Sequence, residues 1–133
     1  MSQLLWLILG GSLGTLSRYS LSLFMTGLLG ASFPYGTLLV NLLGCFLIGM
    51  LEGLPEGVVG LPAPIRLLFV TGFLGALTTF STFSYDSHVL MGNGDWTKVS
   101  LNILTNVVLG LVMLNLGLLM VRVTLGFIRP HSF

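Results

Sequence analysis

The sequence predicts an all-α membrane protein with four transmembrane helices. Of its 133 residues, 54% are hydrophobic and only 7% are charged, whereas about a quarter of an ordinary soluble domain is charged. The hydrocarbon core of a membrane is about 30 Å thick and needs about 20 mostly apolar residues per crossing helix. Four stretches meet this requirement, at residues 3–28, 35–51, 67–85 and 99–121. They use most of the chain, which we interpret as one transmembrane domain, residues 1–133.

The first two stretches are continuous, and prolines follow each of them. Residues 3–28 contain a single charge, Arg18, and residues 35–51 contain none. Pro34 separates the two stretches, and proline is a strong marker of turns and helix boundaries. The connection after the second stretch holds three more prolines, Pro55, Pro62 and Pro64. The sequence therefore predicts two unbroken helices followed by a loop.

The third stretch, residues 67–85, is predicted to break near its middle. Gly72 and Gly75 precede residues 78–84, in which five of seven residues carry hydroxyl groups. Glycine adds backbone freedom and the hydroxyls compete for backbone partners, so both weaken a continuous helix. We expect the break around residues 75–79, where freed backbone carbonyls can coordinate a cation as in discontinuous transporter helices.

Polar side chains within the stretches are the functional signal, because lipid offers them no hydrogen-bond partners. Thr37 and Asn41 are four residues apart and share one helix face. The Asn41 amide suits an ion that must shed water, and it suits equally a hydrogen bond between two helices. Asn102, Asn106 and Gly110 recur every four residues in the fourth stretch. They either line a conduit or join two helices.

Aromatic residues and glycines leave similar alternatives open. Phe80 and Phe83 are three residues apart, so their rings can face one way and present positive edges to an anion. They can equally be ordinary phenylalanines facing lipid or the core. Gly10 and Gly14 form a small-xxx-small pair that lets helices approach closely. The pair predicts either oligomerisation, which so small a unit needs to enclose an aqueous path, or packing within one chain.

The charged residues exclude several classes of function. A net charge of +1 gives no basic field for binding nucleic acid. A proton-coupled four-helix drug exporter needs a Glu in its first helix, but Glu52 and Glu56 both fall in a loop. His88 and His131 are the only histidines, and neither is placed as a catalytic base, so no enzyme is predicted. The remaining alternative is a non-catalytic membrane scaffold, in which the polar side chains only join helices.

The placement of Lys and Arg leaves the orientation in the membrane open. With four spans both termini share one side, where Arg66, Arg122 and Arg129 lie, whereas Lys98 and the deeper Arg18 lie on the other. This difference is small under the positive-inside rule. Cytoplasmic termini and insertion in both orientations are therefore both compatible with the sequence.

Four motifs occur in order along nearly the whole chain. They are Gly10-Gly11-Ser12-Leu13-Gly14 followed by Arg18-Tyr19; Gly36-Thr37-Leu38 with Val40-Asn41 and Gly44; Thr71-Gly72-Phe73-Leu74-Gly75; and Thr78-Thr79-Phe80-Ser81-Thr82-Phe83-Ser84. Together they resemble the Fluc (CrcB-like) family of fluoride ion channels. The last motif is the most specific of the four.

The resemblance implies a passive, fluoride-selective channel in the plasma or inner membrane of a bacterium, which confers fluoride resistance by export. It implies an antiparallel, dual-topology homodimer in membrane lipid, with two pores lined by both subunits. It also implies a structural sodium ion at the dimer interface, held by the backbone carbonyls of Gly75 and Thr78. Arg18 would lie near the vestibule, where a positive charge attracts anions.

The resemblance also assigns the pore residues. Asn41 would provide an amide, Phe80 and Phe83 an aromatic box, and Thr37 a polar group of the vestibule. The full set is Asn41, Phe80, Phe83, Thr37, Ser81, Thr82, Asn102 and Asn106. The last two depart from the family, whose fourth helix carries hydroxyl side chains there. Asp86 occupies the acidic position after the phenylalanine motif, and its role stays open.

Overall fold

The computed structural model describes residues 2–126, and every regular element among them is helical. Arg129 and His131 lie outside the described residues, as do both ends of the predicted domain 1–133. The first two helices, α1 and α2, are unbroken, the third span consists of α3 and α4, and the last helix is α5. Their bounds are Ser2–Leu29 (α1), Tyr35–Glu52 (α2), residues 63–77 (α3), Phe80–Gly92 (α4) and Trp96–Thr124 (α5).

Four helical segments thus have the length to cross a membrane, which confirms the predicted fold class. Tyr35–Glu52, Ala63–Gly92 and Trp96–Thr124 are both long enough and apolar enough. With 28 residues, α1 is about 42 Å long at 1.5 Å per residue, which exceeds the hydrocarbon thickness of about 30 Å. It is the least apolar of the four because it contains Arg18 and several hydroxyl residues.

The predicted break lies at Thr78 and Thr79, between α3 and α4. Both residues are extended, with φ −80° and ψ 155° at Thr78 and φ −153° and ψ 116° at Thr79. The N–H of Thr79 donates to the side-chain oxygen of Asn41 at 2.8 Å, so α3 cannot continue through it. The Thr79 hydroxyl then accepts from the N–H of Thr82 at 3.1 Å and caps the start of α4.

Close backbone contact joins α1 to α3. A side chain at Gly10 would collide with the carbonyl of Leu68, and one at Gly14 would collide with the carbonyl of Phe73. On the opposite helix, a Cβ at Gly72 would lie 3.0 Å from the Cα of Gly10. Of the two alternatives for the Gly10 and Gly14 pair, the structure therefore shows packing within one chain.

A second glycine contact joins α2 to α5. Gly49 leaves room for the carbonyl of Leu114, and Gly117 leaves room for the carbonyl of Phe46, so each helix receives the backbone of the other. Val40 on α2 and Leu77 at the end of α3 are fully buried and form the apolar core next to this contact. The two glycine contacts thus pair α1 with α3 and α2 with α5, on either side of the break at Thr78 and Thr79.

Two stretches of wide, π-helical turns interrupt the regular helices, at Arg66–Leu74 in α3 and at Thr105–Leu109 in α5. Such turns are uncommon and are often found at functional sites. The first stretch contains Gly72 at its contact with α1, and the second contains Asn106. Each stretch of π-helical turns therefore lies in a helix that packs beside the break.

Candidate functional site

A groove with a volume of about 420 Å³ lies beside the break between α3 and α4. We call it the central groove. Its walls come from α2, α3, α4 and α5 and are mostly apolar. Six residues that the sequence assigned to a site line it, namely Asn41, Gly75, Thr78, Phe80, Phe83 and Asn106. The fold thus brings together residues that are up to 65 positions apart in the sequence.

The Asn41 amide lines the groove and is hydrogen-bonded on both of its edges. Its oxygen accepts from the N–H of Thr79 at 2.8 Å, while its nitrogen donates to the carbonyl of Thr79 at 3.3 Å. The same nitrogen donates to the side-chain oxygen of Asn106 at 2.9 Å. Asn41 therefore both joins helices and faces the groove, so the two alternatives for this residue are compatible.

The amide of Asn106 continues the hydrogen bonding away from the groove. Its nitrogen donates to the backbone carbonyl and the side-chain oxygen of Asn102, each at 3.0 Å. Asn102 is completely buried and donates in turn to the hydroxyl of Ser87 at 3.0 Å. Asn106 lines the groove, whereas Asn102 lies behind it in the protein interior.

Two phenylalanine rings form one wall of the groove. The centroids of the Phe80 and Phe83 rings are 5.5 Å apart and their planes are inclined by 49°. Phe83 is half-buried, but 78% of Phe80 is exposed. One side of the groove is therefore open at the surface of a single chain.

The break leaves backbone groups of both signs without helical partners. Among residues 2–126, no hydrogen bond ends on the carbonyl oxygens of residues 75–78, and none begins at the N–H groups of Phe80 and Ser81. Free carbonyls carry the partial negative charge of a helix end, and free N–H groups carry the partial positive charge of a helix start. The end of α3 therefore favours a cation and the start of α4 favours an anion.

Comparison with known proteins now identifies the family. Residues 5–118 match the family model described as "CrcB-like protein, Camphor Resistance (CrcB)". The chain belongs to this CrcB-like family. Two relatives named "Fluoride-specific ion channel FluC", from Shewanella sp. strain ANA-3 and Shewanella oneidensis, are each 48% identical over 117 residues. A third protein of that name, from Shewanella baltica strain OS185, is 47% identical over 117 residues.

Each of these alignments covers 88% of this chain and 94% of the relative. The similarity therefore extends over all four helical segments and includes the central groove. Together with the apolar helices, it makes this CrcB-like chain a multi-pass protein of a bacterial cell membrane.

Thr37 lies away from the central groove of the CrcB-like chain. Its hydroxyl donates to the carboxylate of Asp86 at 2.6 Å. Both residues line a second cavity of about 400 Å³, formed by α1, α2, α4 and the turn at residues 30–34, which we call the outer cavity. Asp86 had no assigned role in the sequence analysis, although it lies three residues after Phe83 on the same helix face.

Ser81, Thr82 and Arg18 also lie outside the lining of the central groove. Ser81 and Thr82 are exposed on the first turn of α4, where their hydroxyls lie 3.3 and 3.0 Å from that of Thr79. Arg18 is half-buried on α1, between Gly14, which contacts α3, and Ser22, which contacts α2 at Gly36. In a single chain Ser81 and Thr82 lie next to Phe80 at the edge of the groove, whereas Arg18 lies on α1, which contributes no residue to the groove lining.

Ser87 is a buried polar residue that sequence reasoning missed. Its hydroxyl accepts from Asn102 and donates to the carbonyl of Phe83 at 2.9 Å. The sequence feature that could have identified Ser87 is its four-residue spacing from Phe83, which places it on the same face of α4. A serine in a helix commonly bonds to its own backbone, so that spacing gave no reason to expect a partner on α5.

Proposed function

We propose that this CrcB-like protein is a passive, fluoride-selective channel that lowers cytoplasmic fluoride by export across the membrane. The observation that carries the proposal is the central groove, where the Asn41 amide, the Phe80 and Phe83 rings and the start of α4 meet in a mostly apolar cleft. The names of the relatives from Shewanella support the choice of fluoride. A channel of this kind is not an enzyme.

The chemistry of the groove suits a small, strongly hydrated anion. Passage of such an ion requires donors that replace its water without binding it so tightly that it stays. Amide N–H groups, ring edges and the N–H groups at the start of α4 offer partial positive charges, and none of these groups is a full cation. The groove lining contains no carboxylate, so it lacks the obvious carrier for proton coupling.

We assign Asn41, Phe80, Phe83 and Asn106 to the pore, with Ser81 and Thr82 beside its path. Thr37, in the outer cavity, and Arg18 belong to the vestibule in this proposal. Asn102 supports the pore from behind Asn106. The donors along the anion path are neutral. The fixed charge of Arg18 attracts anions from outside the groove.

The pore requires a second copy of the chain. The groove is open on the side where Phe80 is 78% exposed, and an exposed edge of a pore must be closed by protein or meet lipid. An antiparallel homodimer supplies two such closures and therefore two pores. This assembly also accommodates insertion of the chain in both orientations.

A structural sodium ion fits the carbonyl end of α3. Oxygen ligands suit hard cations, and the carbonyls of Gly75 and Thr78 belong to the four that lack hydrogen-bond donors among the described residues. Residues 2–126 contain no group of three or more His, Cys, Asp or Glu side chains that could hold a metal ion. Backbone oxygen is therefore the ligand proposed here. The ion would supply positive charge that stabilises the broken backbone.

Fluoride efflux from liposomes containing the purified dimer tests the proposal, with chloride efflux measured in parallel and protein-free liposomes as the control. We expect rapid fluoride efflux and no chloride efflux above the control. A verified dimer that releases neither ion would reject the channel and favour the membrane scaffold. Fluoride efflux that depends on a proton gradient would instead favour a coupled transporter.

A further inference from the structure

A line of side-chain hydrogen bonds runs from the central groove into the protein interior. Asn41 donates to Asn106, Asn106 donates to Asn102, Asn102 donates to Ser87, and Ser87 donates to the carbonyl of Phe83. The four distances lie between 2.9 and 3.0 Å. The line starts on α2, passes along α5 and ends on α4, and every donor in it points in the same direction.

The carbonyl of Phe83 fixes that direction, because a carbonyl can only accept. The single proton of Ser87 is used on this carbonyl, so the Ser87 oxygen must accept from its other neighbour. Asn102 therefore turns its nitrogen toward Ser87 and its oxygen toward Asn106. An amide has one donor edge and one acceptor edge, so the orientation of one amide determines that of the next.

The groove end of the line demands the same direction. The N–H of Thr79 can only donate, and it requires the oxygen of Asn41. The nitrogen of Asn41 then donates to the carbonyl of Thr79 and to the oxygen of Asn106. The Asn106 oxygen is available because the Asn106 nitrogen donates to Asn102. If the Asn106 amide were reversed, two nitrogens would face each other.

Burial makes the inner part of the line costly to disturb. Asn102 has no exposed surface, and Ser87 is 6% exposed. Water cannot replace a lost partner there, and an unsatisfied buried polar group costs more than a typical hydrogen bond contributes. Every buried side-chain nitrogen and oxygen among the described residues has a partner, and among those residues the Asn102 nitrogen has one acceptor, the Ser87 hydroxyl.

We propose that Ser87 and Asn102 are positioning residues that fix the orientation of the Asn106 amide and so keep its oxygen on the Asn41 N–H at the wall of the anion path. The inference rests on the proposed channel function, which it deepens. Neither residue touches the ion. They act through Asn106, and they do so because α4 and α5 place a serine and a buried amide 3.0 Å apart.

Four variants test the inference in the liposome assay: Ser87→Ala, Ser87→Thr, Asn102→Ala and the double variant Ser87→Ala/Asn102→Ala. Thr124→Ala and Asn115→Ala are matched controls, because Thr124 and Asn115 donate only to the carbonyl four residues earlier in their own helix. Fluoride and chloride efflux are both expressed per reconstituted dimer, so that a loss of folded protein does not register as a loss of flux.

We expect Ser87→Ala and Asn102→Ala each to lower fluoride flux per dimer about tenfold, as the loss of a buried hydrogen bond implies, and to lower the ratio of fluoride to chloride flux. Ser87→Thr retains the hydroxyl and restores both quantities. The double variant conducts no less than the weaker single variant, because the two residues act as one unit. Both controls conduct like the wild type.

Wild-type flux and selectivity in Ser87→Ala would overturn the inference and leave the channel proposal standing. A Ser87→Thr variant as poor as Ser87→Ala, or a double variant whose loss is the product of the two single losses, would also count against it. Should Asn102→Ala yield no dimer, the two Ser87 variants decide the question. If the wild-type dimer itself conducts no fluoride, the channel proposal fails, and this inference fails with it.

Discussion

Two helix contacts in this molecule solve the same packing problem in different ways. Between α1 and α3, Gly10, Gly14 and Gly72 let the two backbones touch. Among residues 2–126, no side-chain hydrogen bond joins these two helices. Among α2, α4 and α5, the contact at the level of the break is made by hydrogen bonds from Asn41, Asn102 and Asn106. The contact between α1 and α3 consists of backbone atoms in van der Waals contact, which cannot exchange one hydrogen-bond partner for another.

This difference gives the two contacts different roles: the glycine contact supports the fold, and the amide contact can interact with an ion. A glycine contact gives close packing and a fixed distance but offers nothing to an ion. An amide contact also joins helices, and its N–H groups can exchange one acceptor for another at little cost when the second acceptor is close. In the proposed channel, the contact between α1 and α3 therefore supports the fold, and the amide contact borders the ion path.

The largest expected effect comes from breaking the glycine contact. Gly10→Leu forces a side chain into the carbonyl of Leu68, which is backbone and cannot rotate away. Overpacking typically costs about 1–3 kcal/mol and occasionally more, and a collision with backbone lies at the upper end, so we expect little folded dimer by size-exclusion chromatography. Gly11→Leu is the matched control, because no atom beyond the neighbouring turns of α1 lies within 4 Å of a Cβ at Gly11. Equal dimer yields from the two variants would contradict the assignment.

A smaller effect is expected when a charge is added to the amide contact. Asn41→Asp places a carboxylate in the proposed anion path and removes the donor to Asn106. At an effective dielectric constant of about 20, two like charges about 5 Å apart repel by roughly 3 kcal/mol, which is about a hundredfold in occupancy. We expect fluoride flux to fall by about that factor in a dimer that still forms.

Asn93→Asp is the control for the added charge, since Asn93 is exposed at the end of α4 and outside both cavities. Its flux should equal that of the wild type. If Asn41→Asp conducted like Asn93→Asp, position 41 would belong to the scaffold, and the distinction between the two contacts would be lost.

The aromatic wall gives the next effect in size. Phe80→Ile removes a ring whose centroid lies 5.5 Å from that of Phe83 while keeping an apolar side chain. Aromatic pairs contribute about 0.5–1.5 kcal/mol beyond their buried area, and a loss of the same size to the passing anion lowers fluoride flux about tenfold with the dimer intact. Phe24→Ile, at an exposed phenylalanine of α1, should leave flux unchanged. Unchanged flux in Phe80→Ile would remove the rings from the ion path.

The sequence was sufficient to predict the helices and the break, because these depend on local properties. Apolar length determines a membrane-crossing helix, and the glycines and hydroxyls around Thr78 weaken one. The structure places the break within the predicted residues 75–79. Asn41, Phe80 and Phe83 were found through their motif, and the structure brings all three to one groove.

Contacts between distant residues were not predictable in the same way. The four-residue spacing of Asn102 and Asn106 placed both on one face of α5, but spacing cannot show which residue meets the groove and which meets α4. The partner of Asn102 is Ser87, 15 residues earlier, and the partner of Asp86 is Thr37, 49 residues earlier. Such pairs depend on how the helices pack, which no local pattern in a single sequence specifies.

The smallest effect is expected outside the membrane, at the start of α5. Asp95 caps this helix by accepting from the N–H of Lys98 at 3.2 Å, and its carboxylate pairs with the Lys98 ammonium at 2.7 Å. The hydrogen bond from the Lys98 side chain lowers the pKa of Asp95 below its ordinary value of 3.8. A lowered pKa in the folded state means that the ionised carboxylate stabilises the fold above the ordinary pKa, and that this contribution disappears as the pH falls through the lowered pKa.

Asp95→Ala should therefore lower Tm slightly at pH 7, and its Tm should approach that of the wild type at a pH below the lowered pKa of Asp95, while fluoride flux per dimer stays unchanged. Asp95→Asn separates the two causes, because asparagine keeps the helix cap but carries no charge. Added salt should reduce the difference between Asp95→Asn and the wild type, since exposed ion pairs are screened. A fall in flux would mean that the contact at the membrane surface is coupled to the amide contact. Unchanged flux would mean that the cap at the start of α5 contributes to stability and not to the ion path.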